Sequence, residues 1–98
     1  SCRFTYLYPD GCAPYWSWYC LGTHGELIDQ WIHVKKAITN VFLEHGGSTT
    51  HHTSIGRDHM PYLKIQTDPM FETVLQVAKD TWDPNWVMNP GVIMPARK

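Results

Sequence analysis

Pro9-Asp10-Gly11 separates two runs rich in aromatic and β-branched residues, Cys2 to Tyr8 and Cys12 to Cys20. Proline pre-sets φ and glycine accepts a positive φ, so this tripeptide reverses the chain. Strand-forming sequence on both sides makes a β-hairpin the expected result. In the returning strand, Pro14, Trp16 and Trp18 fall on one face and Ala13, Tyr15, Ser17 and Tyr19 on the other. Pro14 has no N–H to give to a ladder, so it must sit at an edge or a bulge.

A hairpin by itself is marginal in water and needs a covering element. Thr23-His24-Gly25-Glu26 fits a capping box, with Thr23 at the N-cap and Glu26 at N3. Leu27, Ile28, Trp31, Val34, Ile38, Val41 and Phe42 follow at helical steps, which predicts an amphipathic helix of about five turns. Gly46-Gly47 stops it. Ser48 to Gln66 has no period and reads as a loop carrying three of the six histidines. Asp68 then caps a second, shorter helix with Pro69 at N1, where its missing N–H costs nothing. Phe71, Val74, Leu75, Ala78 and Trp82 form its apolar stripe, Asp83-Pro84-Asn85 ends it, and Asn89-Pro90-Gly91 marks a further turn. The expected fold class is α+β: an antiparallel hairpin packed by a long helix, a histidine-bearing loop and a shorter helix.

Ninety-eight residues suffice for one domain. Yet five Trp, five Tyr and three Phe are more aromatic surface than so short a chain buries, since small domains bury a modest fraction of their surface. Six of them crowd into the first eighteen residues, and the chain enters strand-like sequence directly without a Met. The expectation is a segment of something larger, or a chain that pairs with another copy through its hairpin. A formal net charge of −1, with no basic run beyond Lys35-Lys36, lacks the footprint of a nucleic-acid binder. No apolar run approaches the ~18 residues of a bilayer span, and no export signal opens the sequence. The expected location is cytoplasmic, with peripheral membrane contact left open for a larger parent. Cys2, Cys12 and Cys20 have no zinc-ligand rhythm; half-buried thiols or a Cys2–Cys20 bridge across the hairpin both fit.

The densest polar cluster runs from Ser48 to His59, with hydroxyls, His51-His52, Gly56, Arg57, Asp58 and His59. Such a loop suits an oxygen-rich anionic small molecule and a proton transfer. Its length exceeds the ~12–15 residues beyond which structureless loops tend to be functional or disordered. Adjacent imidazoles rarely aim at one ion and no HxH or HExxH spacing occurs, so no metal site is expected. Tyr15 is either half of a sheet-packing pair or a phenol acting in proton transfer.

The ordered set Tyr8-x-x-Gly11, Ala13-x-Tyr15, Gly46-Gly47, His51-His52-x-x-x-Gly56-Arg57-Asp58-His59, Asp83-Pro84-Asn85 and Asn89-Pro90-Gly91 resembles the C-terminal domain of FAD-linked oxidases of the vanillyl-alcohol-oxidase type. Within them it looks most like the alkyldihydroxyacetonephosphate synthase branch, and next like D-lactate and glycolate dehydrogenases. The resemblance covers nearly the whole chain. It implies a partial ferredoxin-like cap domain at the end of a longer enzyme whose FAD-binding domain lies upstream. It implies FAD as cofactor, and oxidation of an alcohol or 2-hydroxy acid, or alkyl-for-acyl exchange on a dihydroxyacetone phosphate ester. Tyr15 falls where the synthases place a proton-accepting tyrosine, and His51 and His52 fall on the first two of three active-site histidines. The third position is Thr53 here, and the glycine expected next is Ser54. Thr53, Arg57 and His59 are the expected substrate-binding groups; Asn89 and Gly91 belong to a turn that closes over the flavin in relatives. The segment alone is expected to be catalytically silent. The rival from another class is a non-catalytic binding or dimerisation module.

Overall fold

The computed structural model describes residues 1–96. The elements are β1 (Cys2–Tyr8), β2 (Gly11–Trp16), α1 (Leu27–Glu44), α2 (Met60–Gln66) and α3 (Pro69–Trp82), which is an α+β fold. The chain divides into two compact units, Ser1–Val34 and Lys35–Lys98, with the division inside α1.

In the first unit β1 and β2 pair antiparallel, and Pro9-Asp10 makes the tip, with Tyr8 opposite Gly11. The ladder continues as Leu7–Cys12 and Tyr6–Ala13, then resumes as Phe4–Pro14, Arg3–Tyr15 and Cys2–Trp16. Thr5 is the extra residue of a β-bulge, opposite the stretch where Pro14 cannot donate. Both the turn and the bulge were implied by the prolines. β2 stops at Trp16 rather than Cys20, although the amide of Ser17 still donates to the Ser1 carbonyl at 2.8 Å.

The Thr23–Glu26 capping box does not form. Glu26 N–H instead donates to the Thr23 carbonyl at 3.0 Å, and α1 begins at Leu27 with Gln30 N–H bonding the Glu26 carbonyl. The Gln30 side chain overrides the local signal: its Nε2 donates to the Leu21 carbonyl at 2.7 Å and its Oε1 accepts from Thr23 N–H at 3.1 Å. Gly22 allows this approach, because a Cβ there would lie 2.2 Å from Leu27 Cδ2.

In the second unit α1 ends as its sequence implied. Gly46 adopts a φ of +72°, Gly47 N–H bonds the Phe42 carbonyl and Gly46 N–H the Leu43 carbonyl. This paired 6→1 and 5→2 arrangement is a Schellman motif. The stretch read as an unbroken loop contains a short helix, α2, which starts after His59 with no side-chain cap. α3 begins as expected: Asp68 accepts from Met70 N–H at 2.8 Å and Pro69 occupies the first turn.

The apolar stripes are not buried. Among the described residues no hydrophobic side chain is buried; the two buried residues are polar, Thr39 and Asp83. Trp31 is 52% exposed, Val74 60% and Trp82 87%, while Val34, Ile38, Phe42 and Leu75 are half-buried, so the faces that periodicity assigned to a core are covered only in part. Cys2, Cys12 and Cys20 are free and exposed rather than half-buried or bridged. No helix among the described residues is long and apolar enough to cross a membrane.

Candidate functional site

Tyr15 lies on β2 directly opposite Arg3, and the Arg3 guanidinium carbon stands 5.1 Å from the Tyr15 ring centroid. Residues opposite one another in a ladder share a face. Arg3, Tyr15 and Ala13 therefore lie on one side, with Tyr6 and Tyr8, which oppose Ala13 and Gly11. The other side carries Cys2, Phe4, Leu7, Cys12, Pro14 and Trp16. Tyr6 and Tyr8 stack at 6.3 Å between centroids, and Trp16 and Trp18 at 6.1 Å.

The remaining sequence-predicted residues lie in the second unit. His51 and His52 meet edge to face at 4.0 Å between rings, on an exposed bend where His52 has a φ of +58°. A β-carbon is strained in this region, and a non-glycine residue there is worth attention at a candidate site. Thr53 is tied to Thr50, whose hydroxyl meets the Thr53 carbonyl and hydroxyl at 2.9 Å each. His59 is half-buried beside a cavity of about 240 Å³ lined also by Ser48, Thr49, Thr50, Ile55 and Gln66. The hydroxyls there are spent internally: Ser48 donates to the Thr50 carbonyl at 2.6 Å, and Thr49 to Gln66 Oε1 at 2.6 Å. Gln66 completes a clamp by donating to the Gly47 carbonyl at 3.2 Å.

Arg57 and the Asn89–Gly91 turn, named separately from sequence, are brought together. Arg57 Nη2 donates to the Pro90 carbonyl at 3.2 Å, and Ile93 N–H reaches the Gly56 carbonyl at 3.4 Å. The turn closes with Val92 N–H on the Asn89 carbonyl, Pro90 at the second position and Gly91 at φ +70° in the third, the requirement of a type II turn.

Sequence reasoning missed what precedes this turn. Asp83 is 6% exposed and its carboxylate accepts from Lys79 Nζ, from Val87 N–H at 3.1 Å and from Met88 N–H at 2.9 Å. Lys79 also donates to the Met88 carbonyl and lies 5.8 Å from the Trp86 ring centroid, while Trp86 Nε1 donates to Asp80 at 2.7 Å. The Lys79 bond is the main reason the Asp83 carboxyl is held below its ordinary value of 3.8; burial opposes it, and the Met88 and Val87 amides add to the lowering. The i,i+4 spacing of Lys79 and Asp83 was the available signal. Among the described residues no group of three or more His, Cys, Asp or Glu side chains is gathered as a metal site would require.

Residues 1–93 match the family described as FAD linked oxidases, C-terminal domain. The chain belongs to this family. It is 30% identical over 98 residues to an alkyldihydroxyacetonephosphate synthase of Trypanosoma brucei brucei and 27% identical over 96 residues to that of Dictyostelium discoideum. Each alignment covers 98% of this chain and 16% of the relative. An uncharacterized FAD-linked oxidoreductase of Escherichia coli is 32% identical over 74 residues, covering 74% of this chain and 15% of its own length. The chain thus spans about one sixth of the length of these curated relatives. No solved structure matches it.

Proposed function

We propose that this chain is the C-terminal segment of an FAD-dependent oxidoreductase and supplies its acid–base and anion-binding side chains. The match of residues 1–93 to the FAD-linked oxidase C-terminal domain carries this reading. The synthase relatives, aligned over nearly the whole chain, favour alkyl-for-acyl exchange on a dihydroxyacetone phosphate ester. Two-electron oxidation of an alcohol or 2-hydroxy acid is the alternative reaction for the same cofactor. The open apolar faces suit a segment that the rest of a longer protein covers.

Nothing among the described residues makes a complete cradle for a dinucleotide. The Asn89–Gly91 turn fits a supporting role, because its backbone is fixed by the Val92 and Arg57 bonds. When bound, FAD supplies the redox chemistry. Tyr15 Oη takes the proton from the substrate's reacting carbon or hydroxyl. His51 and His52 hold or relay a proton, and Thr53, Arg57 and His59 bind the substrate's oxygens. Arg57 keeps further N–H donors for a phosphate or carboxylate after its bond to Pro90.

The test is turnover of the full-length protein after Tyr15→Phe and His52→Asn, asparagine being chosen because it tolerates the positive φ. Each variant should retain flavin and lose about 10²–10⁴-fold in rate, the usual contribution of a general acid or base. Unchanged turnover returns that residue to a structural role.

A further inference from the structure

Arg3 is the cation on the Tyr15 face of the hairpin. It is exposed, faces Tyr15 across the ladder, and makes no ion pair among the described residues, where the pairs are Lys64–Glu72 and Lys79–Asp83. A guanidinium held against a ring uses none of its five N–H donors for that contact. Arg57, in contrast, gives one to Pro90.

The bulge at Thr5 strengthens the case. Simple alternation along β1 would put Tyr6 and Tyr8 on the face of Phe4. The register shift moves them opposite Ala13 and Gly11, onto the face of Arg3 and Tyr15. Bulges are over-represented beside active sites, where they re-aim side chains. Here the result is one guanidinium among phenols on a single sheet face, and an apolar opposite face.

We propose that Arg3, set in place by the Tyr15 ring, is the specificity-determining residue of an oxyanion subsite on this face, which takes the carboxylate or phosphate monoester of a small substrate. The subsite deepens the reading of Tyr15 as the proton acceptor and rests on it for its place in the reaction. A planar fork of donors beside a phenol matches an oxyanion bidentately, and lysine does not reproduce that geometry.

The experiment is isothermal titration calorimetry of the full-length protein, as purified with its flavin, against oxalate and against inorganic phosphate. Preference for oxalate identifies a carboxylate ligand, and preference for phosphate a phosphoryl one. Arg3→Ala should weaken the preferred anion by about tenfold or more, as loss of hydrogen bonds to a charged group does. Arg3→Lys should recover only part of this. Tyr15→Phe, which keeps the ring beneath Arg3, should bind nearly as the parent does, whereas Tyr15→Leu should weaken binding. The subsite is overturned if neither anion binds, if Arg3→Ala binds as the parent does, or if Tyr15→Leu binds like Tyr15→Phe. It is equally overturned if Arg57→Ala abolishes binding that Arg3→Ala preserves. Normal turnover in Tyr15→Phe with Arg3-dependent binding intact would sink the proton-transfer role and leave the subsite standing.

Discussion

The hairpin and the knot at the end of α3 are held by opposite means. β1 and β2 are joined by a ladder, and nearly all their side chains stay exposed, Leu7 at 81% and Phe4 at 65%. The Asp83 knot spans only Lys79 to Met88, yet its carboxylate, the Lys79 ammonium and the Val87 and Met88 amides satisfy one another. One region leaves its side chains exposed; the other satisfies a buried carboxylate within ten residues of chain. Order in this chain therefore follows hydrogen bonding more closely than apolar burial, because no hydrophobic side chain among the described residues is buried.

The sharpest way to break this contrast is Asp83→Ala in the full-length protein. It leaves Lys79 and two amides without their common acceptor, and buried donors without partners are costly. Amide hydrogen exchange over residues 84–96 should accelerate by about tenfold or more, with the hairpin unaffected. Uniform acceleration in both regions would show that they are not independent.

Acid should produce the same loss more gently. The folded pKa of Asp83 lies below its ordinary value of 3.8, so its stabilisation is complete above that value and fades as pH falls through the depressed one. The exchange difference between the parent and Asp83→Asn should be full near about pH 7 and shrink below about pH 4. A difference that persists unchanged into stronger acid would remove Asp83 as its source.

Two smaller effects refine the comparison. Asp68→Ala removes the cap of α3 and should cost about 1 kcal/mol, read from denaturant unfolding of the full-length protein. Gln66→Ala releases the clamp on Gly47 and Thr49, and Gln30→Ala the one on Leu21 and Thr23. Both glutamines bond loop backbone, so each variant should loosen its own loop by roughly 1 kcal/mol and spare the other. Cross-effects between the loops would blur the two units.

What was legible in the sequence was local. Pro9-Asp10-Gly11, the Pro14 irregularity, Gly46-Gly47 and Asp68-Pro69 each specify a backbone geometry within a few residues, and each is found. α2 escaped notice because seven residues are too few to show a period, and His59 supplies no side-chain cap. The Thr23–Glu26 box was a sound local signal defeated by Gln30, whose partners lie seven and nine residues away. The buried stripes failed for a different reason: periodicity reports which face is apolar and says nothing of what covers it. At the site, residue types picked out Arg57 and the Asn89–Gly91 turn, but their bond spans 33 residues and no pattern announces it. Arg3 was missed because its meaning depends on a register that only the bulge sets.

The bonds from Arg57 to Pro90 and from Ile93 to Gly56 close a noncovalent ring. Everything from Gly56 to Ile93, α2 and α3 included, is a handle whose two ends are fastened together. The backbone leaving the histidine bend is thereby anchored to residues that come 33 positions later or more. A chain shortened just after α3 would keep all three helices and still lose that fastening at Gly56 and Arg57. The short tail beyond the last helix is the clasp of the arrangement, and damage to it should be felt first at a loop far upstream in sequence.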